Sequence, residues 1–166
     1  MEATRPLTTK ASCHSLLASL NLTYKTYSHP VVWTGADMKE HIKLDHAPLI
    51  KDILYSNKKG NYWFFILPID KTIPKSIWKH LGENPNNVRT CNADKLMEIL
   101  GLVPGTVNPF ALLNDTQNKI KEVVIEESLA SQSYLSFHPM ENNETVEITY
   151  KDFEAFLAHA NRQLKV

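Results

Sequence analysis

The sequence predicts one α/β domain in which helices alternate with mostly antiparallel strands. Two β-rich runs, at 49–56 and 62–67, are separated by Asn57-Lys58-Lys59-Gly60, a pattern typical of a β-hairpin. Capping residues stand before several runs of apolar residues at helical spacing. With 166 residues, of which 43% are apolar, the chain is long enough to bury a core without disulfides or a structural metal.

A helix, a strand and a second helix are predicted before the hairpin. Thr8 or Thr9 precedes apolar residues at helical spacing, so the first helix is expected to extend to Leu20. A short strand over 23–29 and a helix over 34–44 follow.

Two short helices and an irregular loop are predicted after the hairpin. Pro74 and Gly82 are typical of the start and the end of a helix. Asn92 as a cap and Gly101 as a terminator predict a second helix over 92–100. The segment 101–115 begins with two glycines and two prolines within nine residues, which indicates a rigid loop.

Strands and a final helix complete the predicted fold. The runs 122–126, 134–138 and 144–148 are predicted to be successive antiparallel strands, with a turn at Asn142-Asn143. Thr149 with Asp152 forms an approximate capping box for the last helix.

The charges balance overall but are unevenly distributed. The chain has 18 Lys+Arg and 18 Asp+Glu. Residues 25–80 hold nine Lys and five acidic residues, whereas residues 122–154 hold one Lys and eight acidic residues. A basic face that meets a phosphate backbone is one interpretation, and a mosaic of solvated faces is the other.

The cysteines and the hydropathy pattern indicate a cytoplasmic protein. Cys13 and Cys91 are far apart and belong to no CxxC pair, which is typical of reduced thiols in the cytosol. No apolar run approaches the roughly 18 residues needed to span a bilayer, so no membrane partner is predicted.

Common catalytic and metal-binding motifs are missing from the sequence. It contains no GxSxG, GxxxxGK[ST] or HExxH pattern, and His41 and His46 are badly spaced for a helical metal pair. We therefore predict no metal and no cofactor. A hydrolase without these motifs depends on backbone donors, a positioned water and groups of its own substrate.

The first candidate site is the segment Gly105-Thr106-Val107-Asn108-Pro109. Glycine permits a backbone conformation closed to other residues, and proline fixes φ and has no N–H. The amides between them can then converge on an oxyanion or a carbonyl oxygen. A purely structural turn is the alternative.

The second candidate site is Lys51-Asp52 inside the first strand of the hairpin. Strand alternation places Lys51 on the face of Ile53, and Asp52 on the face of Ile50 and Leu54. One of the two charges is expected to border a cleft. The alternative is a lysine at an exposed sheet edge, where it discourages aggregation.

The third candidate site is Phe137-His138-Pro139, followed by Asn142 and Thr145. This order places an imidazole at the end of a strand, beside a turn. A structural histidine is the alternative.

In their order and spacing, these segments resemble the aminoacyl-tRNA editing family typified by YbaK and by the insertion and stand-alone deacylases related to prolyl-tRNA synthetase. The likeness begins at His29-Pro30 and Thr34, includes the three candidate sites, and extends to Thr145. It implies an α/β fold around a mixed, largely antiparallel, barrel-like sheet. The whole chain, 1–166, would be one editing domain, with 1–8 as a short tail.

The resemblance also implies an activity and roles for individual residues. The activity is hydrolysis of the ester between a wrong amino acid and tRNA, with Ala-tRNA(Pro) as the expected substrate. A non-catalytic module that binds tRNA or a synthetase, and a deacylase for Cys- or Ser-charged tRNA, remain as alternatives. The implied partners are the tRNA acceptor end and, as an open possibility, an aminoacyl-tRNA synthetase or a multi-synthetase complex. The implied catalytic residues are Lys51, Gly105 and His138, and the implied substrate-binding residues are Asp52, Thr106, Val107, Asn108, Pro109, Phe137 and Asn142.

Asp52 departs from the pattern of the family, which commonly has asparagine after the strand lysine. An ionised carboxylate accepts hydrogen bonds but donates none. The departure therefore bears on substrate preference.

Overall fold

The computed structural model describes residues 7–166, and residues 1–6 of the expected N-terminal tail lie outside this range. Within residues 7–166 there are six α-helices: α1 Lys10–Ser19, α2 Gly35–His41, α3 Lys75–His80, α4 Ala93–Leu100, α5 Glu127–Ala130 and α6 Tyr150–His159. The same range contains eight strands: β1 Tyr24–Ser28, β2 Ile50–Asn57, β3 Tyr62–Pro68, β4 Val88–Thr90, β5 Ile120–Ile125, β6 Tyr134–Phe137, β7 Glu144–Thr149 and β8 Leu164–Lys165. Two short 3₁₀ helices cover Pro85–Asn87 and Pro109–Asn114.

The strands form two sheets. One is antiparallel with the order β1-β7-β6. The other has the order β4-β2-β3-β5-β8, in which β2 pairs antiparallel with β3 and β4, while β5 pairs parallel with β3 and β8. The predicted α/β fold with largely antiparallel strands is confirmed. The sheets do not close into the barrel that the resemblance suggests.

The predicted antiparallel arrangement of β5 with the strands after it is wrong. β5 lies beside β3 in the five-stranded sheet, whereas β6 and β7 belong to the other sheet. Because β5 is covered on both faces, Val123 and Ile125 join the main core and Val124 packs on the opposite side. A strand buried on both faces is typical of parallel pairing.

Local signals predicted several element boundaries correctly. Thr9 caps α1 in a reciprocal box with Ser12, and the side chain of Thr149 accepts a hydrogen bond from the amide of Asp152 at the start of α6. Gly101 ends α4 in the left-handed conformation, with φ of 66°. Helix α2 is shorter than predicted, and part of the predicted loop over 101–115 is the second 3₁₀ helix.

Two apolar clusters lie on opposite faces of the hairpin. Phe64 and Ile66 face the main core between the sheets, while Trp63 and Phe65 pack with Trp78 of α3 on the other face. Strand β2 follows the same alternation, since its residues Ile50 and Leu54 belong to the main core. Asp52, which alternates with them, therefore lies on the same face of β2, whereas Ile53 packs against the second cluster.

Candidate active site

A cavity of about 360 Å³ opens where α2, β2, the loop after α4 and the end of β6 meet. It brings together residues from all three candidate sites of the sequence. These are Lys51 and Asp52 of β2, Gly105 and Val107 of the loop, and His138. The rest of the wall consists of Trp33, Thr34, Gly35, Met38, Ile50 and Ile69.

Gly105 occupies a position where any side chain would be strained. Its φ is +89°, and a Cβ at this position would lie 2.7 Å from Cε3 and 3.0 Å from Cζ3 of Trp33. Glycine is therefore required both by the backbone conformation and by the indole ring packed against it.

The amides of the loop are only partly available to a ligand. The amide and the hydroxyl of Thr106 both donate to the carbonyl of Val103, at 3.2 and 2.7 Å. Val107 lies on the cavity wall. Within residues 7–166, its backbone amide has no hydrogen-bond acceptor. Val107 is thus a better candidate donor than Thr106.

Asn108 and Pro109 give the loop its shape and do not line the cavity. Asn108 is fully buried; its Nδ2 donates to the carbonyl of Thr106 at 2.9 Å, and its Oδ1 accepts from the amide of Ala111 at 3.2 Å. The latter bond caps the 3₁₀ helix, and Pro109 is the first residue of that helix. These residues hold Gly105 and Val107 in place.

Asp52 carries a carboxyl group into the wall of the cavity. The residue is only part-buried, but its Oδ1 is sealed from solvent and, within the described chain, has no hydrogen-bond partner. Burial raises the pKa of Asp52 well above its ordinary value of 3.8. The predicted placement of Asp52 on the face of Ile50 and Leu54, opposite Ile53, agrees with the packing of β2.

His138 is buried at the end of β6, and its surroundings select one tautomer. The ring Nδ1 lies 3.0 Å from the carbonyl oxygen of Glu144, so Nδ1 carries the proton and donates it. In the neutral ring Nε2 is then an acceptor. Burial lowers the pKa of His138 below 6.5, the carbonyl of Glu144 opposes this, and His29 adds a further lowering. The ring is therefore neutral at pH 7.

A second histidine extends this hydrogen-bond network. His29 places Nδ1 2.8 Å from the carbonyl of Pro30, and Nε2 2.8 Å from Oγ1 of Thr145. Because a carbonyl only accepts, Nδ1 of His29 donates to Pro30, while Nε2 shares a hydrogen bond with the hydroxyl of Thr145. Oγ1 of Thr145 also lies 3.4 Å from Nδ1 of His138, so the two rings are linked through one hydroxyl.

Phe137 and Asn142 do not line this cavity. Phe137 is 2% exposed and packs against Phe110 and Phe153 in the core. Asn142 is bonded twice to Val32: its Nδ2 donates to the carbonyl at 2.8 Å, and its own carbonyl accepts from the amide at 3.1 Å. Asn142 thereby fixes the segment that precedes Trp33.

Sequence reasoning missed the contribution of the segment 33–38. Trp33, Thr34, Gly35 and Met38 line the cavity, although the sequence indicates only an ordinary capped helix there. The one usable signal is Trp33 itself, a large aromatic residue directly before a helix cap and outside the helix face.

Neither a metal cluster nor a membrane helix is found in the part of the chain that the structure describes. Residues 7–166 contain no group of three or more His, Cys, Asp or Glu side chains arranged to hold a metal ion. No helix in the same range has both the length and the apolar character needed to cross a bilayer.

The fold and the cavity define a two-sheet α/β domain with a ligand-sized cleft between the sheets. Residues 29–156 match the family model described as the aminoacyl-tRNA editing domain, and this range contains the entire cavity wall. The chain therefore belongs to the aminoacyl-tRNA editing-domain family, as the sequence resemblance predicts.

Individual relatives agree with this assignment. The prolyl-tRNA editing protein ProX of Acetoanaerobium sticklandii is 28% identical over 141 residues, which cover 83% of this chain and 84% of that protein. The prolyl-tRNA synthetase associated domain-containing protein 1 of Mus musculus is 28% identical over 151 residues, which cover 89% of each chain. A solved structure of a candidate trans-editing enzyme for prolyl tRNA synthetase shares the fold, with a TM-score of 0.66 and 14% identity, over 96% of this chain and 97% of the other.

Proposed function

We propose that this protein is a trans-editing deacylase that hydrolyses the ester of mischarged tRNA, with Ala-tRNA(Pro) as its substrate. The observation that carries the proposal is the single cavity in which Lys51, Asp52, Gly105 and His138 converge. The similarity to ProX supports the choice of the prolyl system.

Selection of alanine over proline would depend on the size of the cavity. Its apolar wall is formed by Met38, Ile50 and Ile69. A synthetase site built for proline rejects the smaller alanine poorly, because missing methylene groups are worth only ~1–3 kcal/mol. A second site that admits alanine and excludes proline by size corrects that error.

The proposed reaction is attack of water on the ester carbonyl carbon. The carbonyl oxygen becomes an oxyanion, for which the amide of Val107 is a candidate donor beside Gly105. The neutral Nε2 of His138 accepts a proton from the attacking water and returns it to the ribose oxygen as the ester C–O bond breaks. The products are a free amino acid and uncharged tRNA. Lys51 binds the phosphate of the terminal nucleotide.

Asp52 is proposed to bind the α-ammonium group of the amino acid. A buried carboxyl without a partner is costly to ionise, and a cation beside it removes that cost. The test is a substrate ester in which a hydroxyl group replaces the amine. Wild type should hydrolyse it at least tenfold more slowly than the alanyl ester, whereas Asp52→Asn should treat the two alike; equal rates in wild type would refute the role.

The partners, the independence from metals and cofactors, and the location of the protein are proposed together with this function. The partner is the acceptor end of tRNA, with a synthetase or a multi-synthetase complex as a further partner. The reaction needs neither a metal nor a cofactor. The whole chain acts as one editing domain in the cytoplasm.

The function is tested by incubating the protein with tRNA charged with alanine, serine, cysteine or proline and following loss of the ester. Alanyl ester loss well above the buffer rate, with prolyl ester intact, supports the proposal. Preferential loss of the seryl or cysteinyl ester would reassign the substrate. Binding of tRNA without loss of any ester would make the protein a non-catalytic module.

A further inference from the structure

We propose that Trp33 is a stacking platform for the terminal adenine base of the tRNA acceptor end. The inference rests on the proposed substrate but concerns a residue to which no role has been given above. Four features of Trp33 support it: its exposure, its support from below, its fixed backbone and its position relative to the ester.

Trp33 is exposed to an extent unlike the other tryptophans of the chain. It is 65% exposed, whereas Trp63 and Trp78 are 2% and 4% exposed. Its indole also lies on the cavity wall. A large aromatic ring kept in solvent at the edge of the cavity is available to stack on a planar ligand.

One edge of the indole is supported by the loop. The ring atoms Cε3 and Cζ3 lie so close to Gly105 that no side chain fits between them. The close approach holds the ring at a defined height above the loop that is proposed to bind the ester carbonyl.

The backbone of Trp33 is held on both sides. Its amide donates to Oδ2 of Asp37 at 3.0 Å, in the first turn of α2. The preceding residue, Val32, makes its two bonds with Asn142. A preorganised ring loses little conformational freedom when a base stacks on it.

The covalent structure of an aminoacyl-tRNA places the base beside this ring. The amino acid is esterified directly to the ribose of the terminal adenosine, so the base lies one sugar ring away from the carbonyl. With the carbonyl at Gly105 and the phosphate at Lys51, the adjoining Trp33 is the aromatic surface that the base can reach. Stacking tolerates any base in general, so Trp33 adds affinity for the end of the acceptor strand without reading its sequence.

The experiment measures the affinities of two RNA minihelices by the fluorescence anisotropy of a label on the RNA, and follows the intrinsic fluorescence of the protein alongside. One ends in the normal CCA sequence, and the other lacks only the base of its terminal nucleotide. We expect the complete end to quench fluorescence in a saturable way and to bind about tenfold to a hundredfold more tightly than the abasic end. This comparison uses wild-type protein and does not depend on the folding of any variant.

Variants assign the effect to the ring. Trp33→Leu should bind the complete and the abasic ends equally, and Trp33→Phe should retain part of the difference. Met97→Ala is the control, since Met97 is a similarly exposed apolar residue on α4, outside the cavity. It should behave as wild type.

The results separate stacking from catalysis. Equal affinity of wild type for the two ends would overturn the stacking role, even if the protein hydrolyses mischarged tRNA. Preference for the complete end in a protein that hydrolyses no ester would keep the stacking role and reject the proposed deacylase.

Discussion

Asp52 is an ionisable residue whose carboxyl group is buried. Its pKa is raised because burial penalises the ionised form, and within residues 7–166 no donor reaches its Oδ1 to offset the penalty. In the folded state this carboxyl binds its proton more tightly than in the unfolded chain. Its contribution to stability is therefore lost as pH rises from about 3.8 through the raised pKa.

The substitution Asp52→Asn should stabilise the folded protein at neutral and alkaline pH. Asparagine has the same shape and no charge to desolvate. The thermal midpoint of the variant should exceed that of wild type by a few degrees at pH 8, since 1 kcal/mol corresponds to about 2–4 °C for a domain of this size. The difference should shrink on acidification. A variant that is less stable than wild type at pH 8 would contradict this account of Asp52.

Gly105 offers a sharp test of the loop, because a matched glycine exists elsewhere. Gly105→Ala forces a left-handed backbone onto alanine, at about 1–2 kcal/mol, and drives a methyl group into Trp33. Deacylation should fall by about 10²-fold or more as the loop donors turn away. Gly60→Ala, at φ of +79° with open space around it, imposes a similar backbone strain far from the cavity.

The two glycine variants are compared by urea unfolding and by deacylation rate. Gly105→Ala should lose at least as much stability as Gly60→Ala, because the contact with Trp33 adds to a similar backbone strain, whereas only Gly105→Ala should lose activity. Equal activity of the two variants would make the loop a structural turn.

Protonation of His138 should determine the acid limb of the pH profile of kcat/KM. Protonation would occupy Nε2 and remove the proposed acceptor, and the pKa of His138 lies below its ordinary value of 6.5. The acid limb of kcat/KM should therefore have its midpoint below pH 6.5, and the limb should be lost in His138→Gln. A fall centred above pH 6.5 would exclude neutral His138 as the group responsible.

The turn between β6 and β7 connects two parts of the site, His138 and the segment that leads to Trp33. It carries His138 on one side, and through Asn142 and Asn143 it holds the extended segment that leads to Trp33. The amide of His29 donates to the carbonyl of Asn143 at 3.0 Å, which adds a further attachment. These bonds fasten the segment to the turn.

Substituting Asn142 should affect activity more than stability. Asn142→Ala removes the side-chain bond to the carbonyl of Val32, which should cost about 1 kcal/mol of unfolding free energy. Deacylation should fall about tenfold because the segment that leads to Trp33 loses its side-chain bond, and Trp33 packs on Gly105. Asn143→Ala is the control, because it keeps the backbone bond to His29 and should retain activity. A wild-type deacylation rate in Asn142→Ala would show that this bond of the turn does not contribute to activity.

Elements defined by local chemistry were predictable, and those defined by distant partners were not. The hairpin, the caps at Thr9 and Thr149, and the terminator Gly101 depend on a few neighbouring residues. The partner of β5 depends on which strand lies beside it after folding, and an apolar run does not specify that. Strand β8 has two residues and is defined only by its pairing with β5.

At the scale of the whole molecule, the site is an assembly of distant segments. Its wall draws on residues from 33 to 138 and lies between the two sheets. From the sequence, Lys51, Asp52, Gly105 and His138 could be identified as separate candidates for a site. The reasons were strand alternation at Lys51 and Asp52, and the turn chemistry at Gly105 and His138. It could not indicate that Trp33 lies on Gly105, because that contact depends on the packing of two loops 72 positions apart.

The proposed reaction is removal of alanine from mischarged tRNA in this cavity. A matched pair of deacylation rates tests it directly. Alanyl and prolyl esters on the same tRNA(Pro) are incubated with wild-type protein and with Gly105→Ala. The account predicts rapid loss of the alanyl ester with wild type, an intact prolyl ester, and at least a 10²-fold slower alanyl reaction with the variant. An alanyl ester that decays at the buffer rate in the presence of wild-type protein would contradict it.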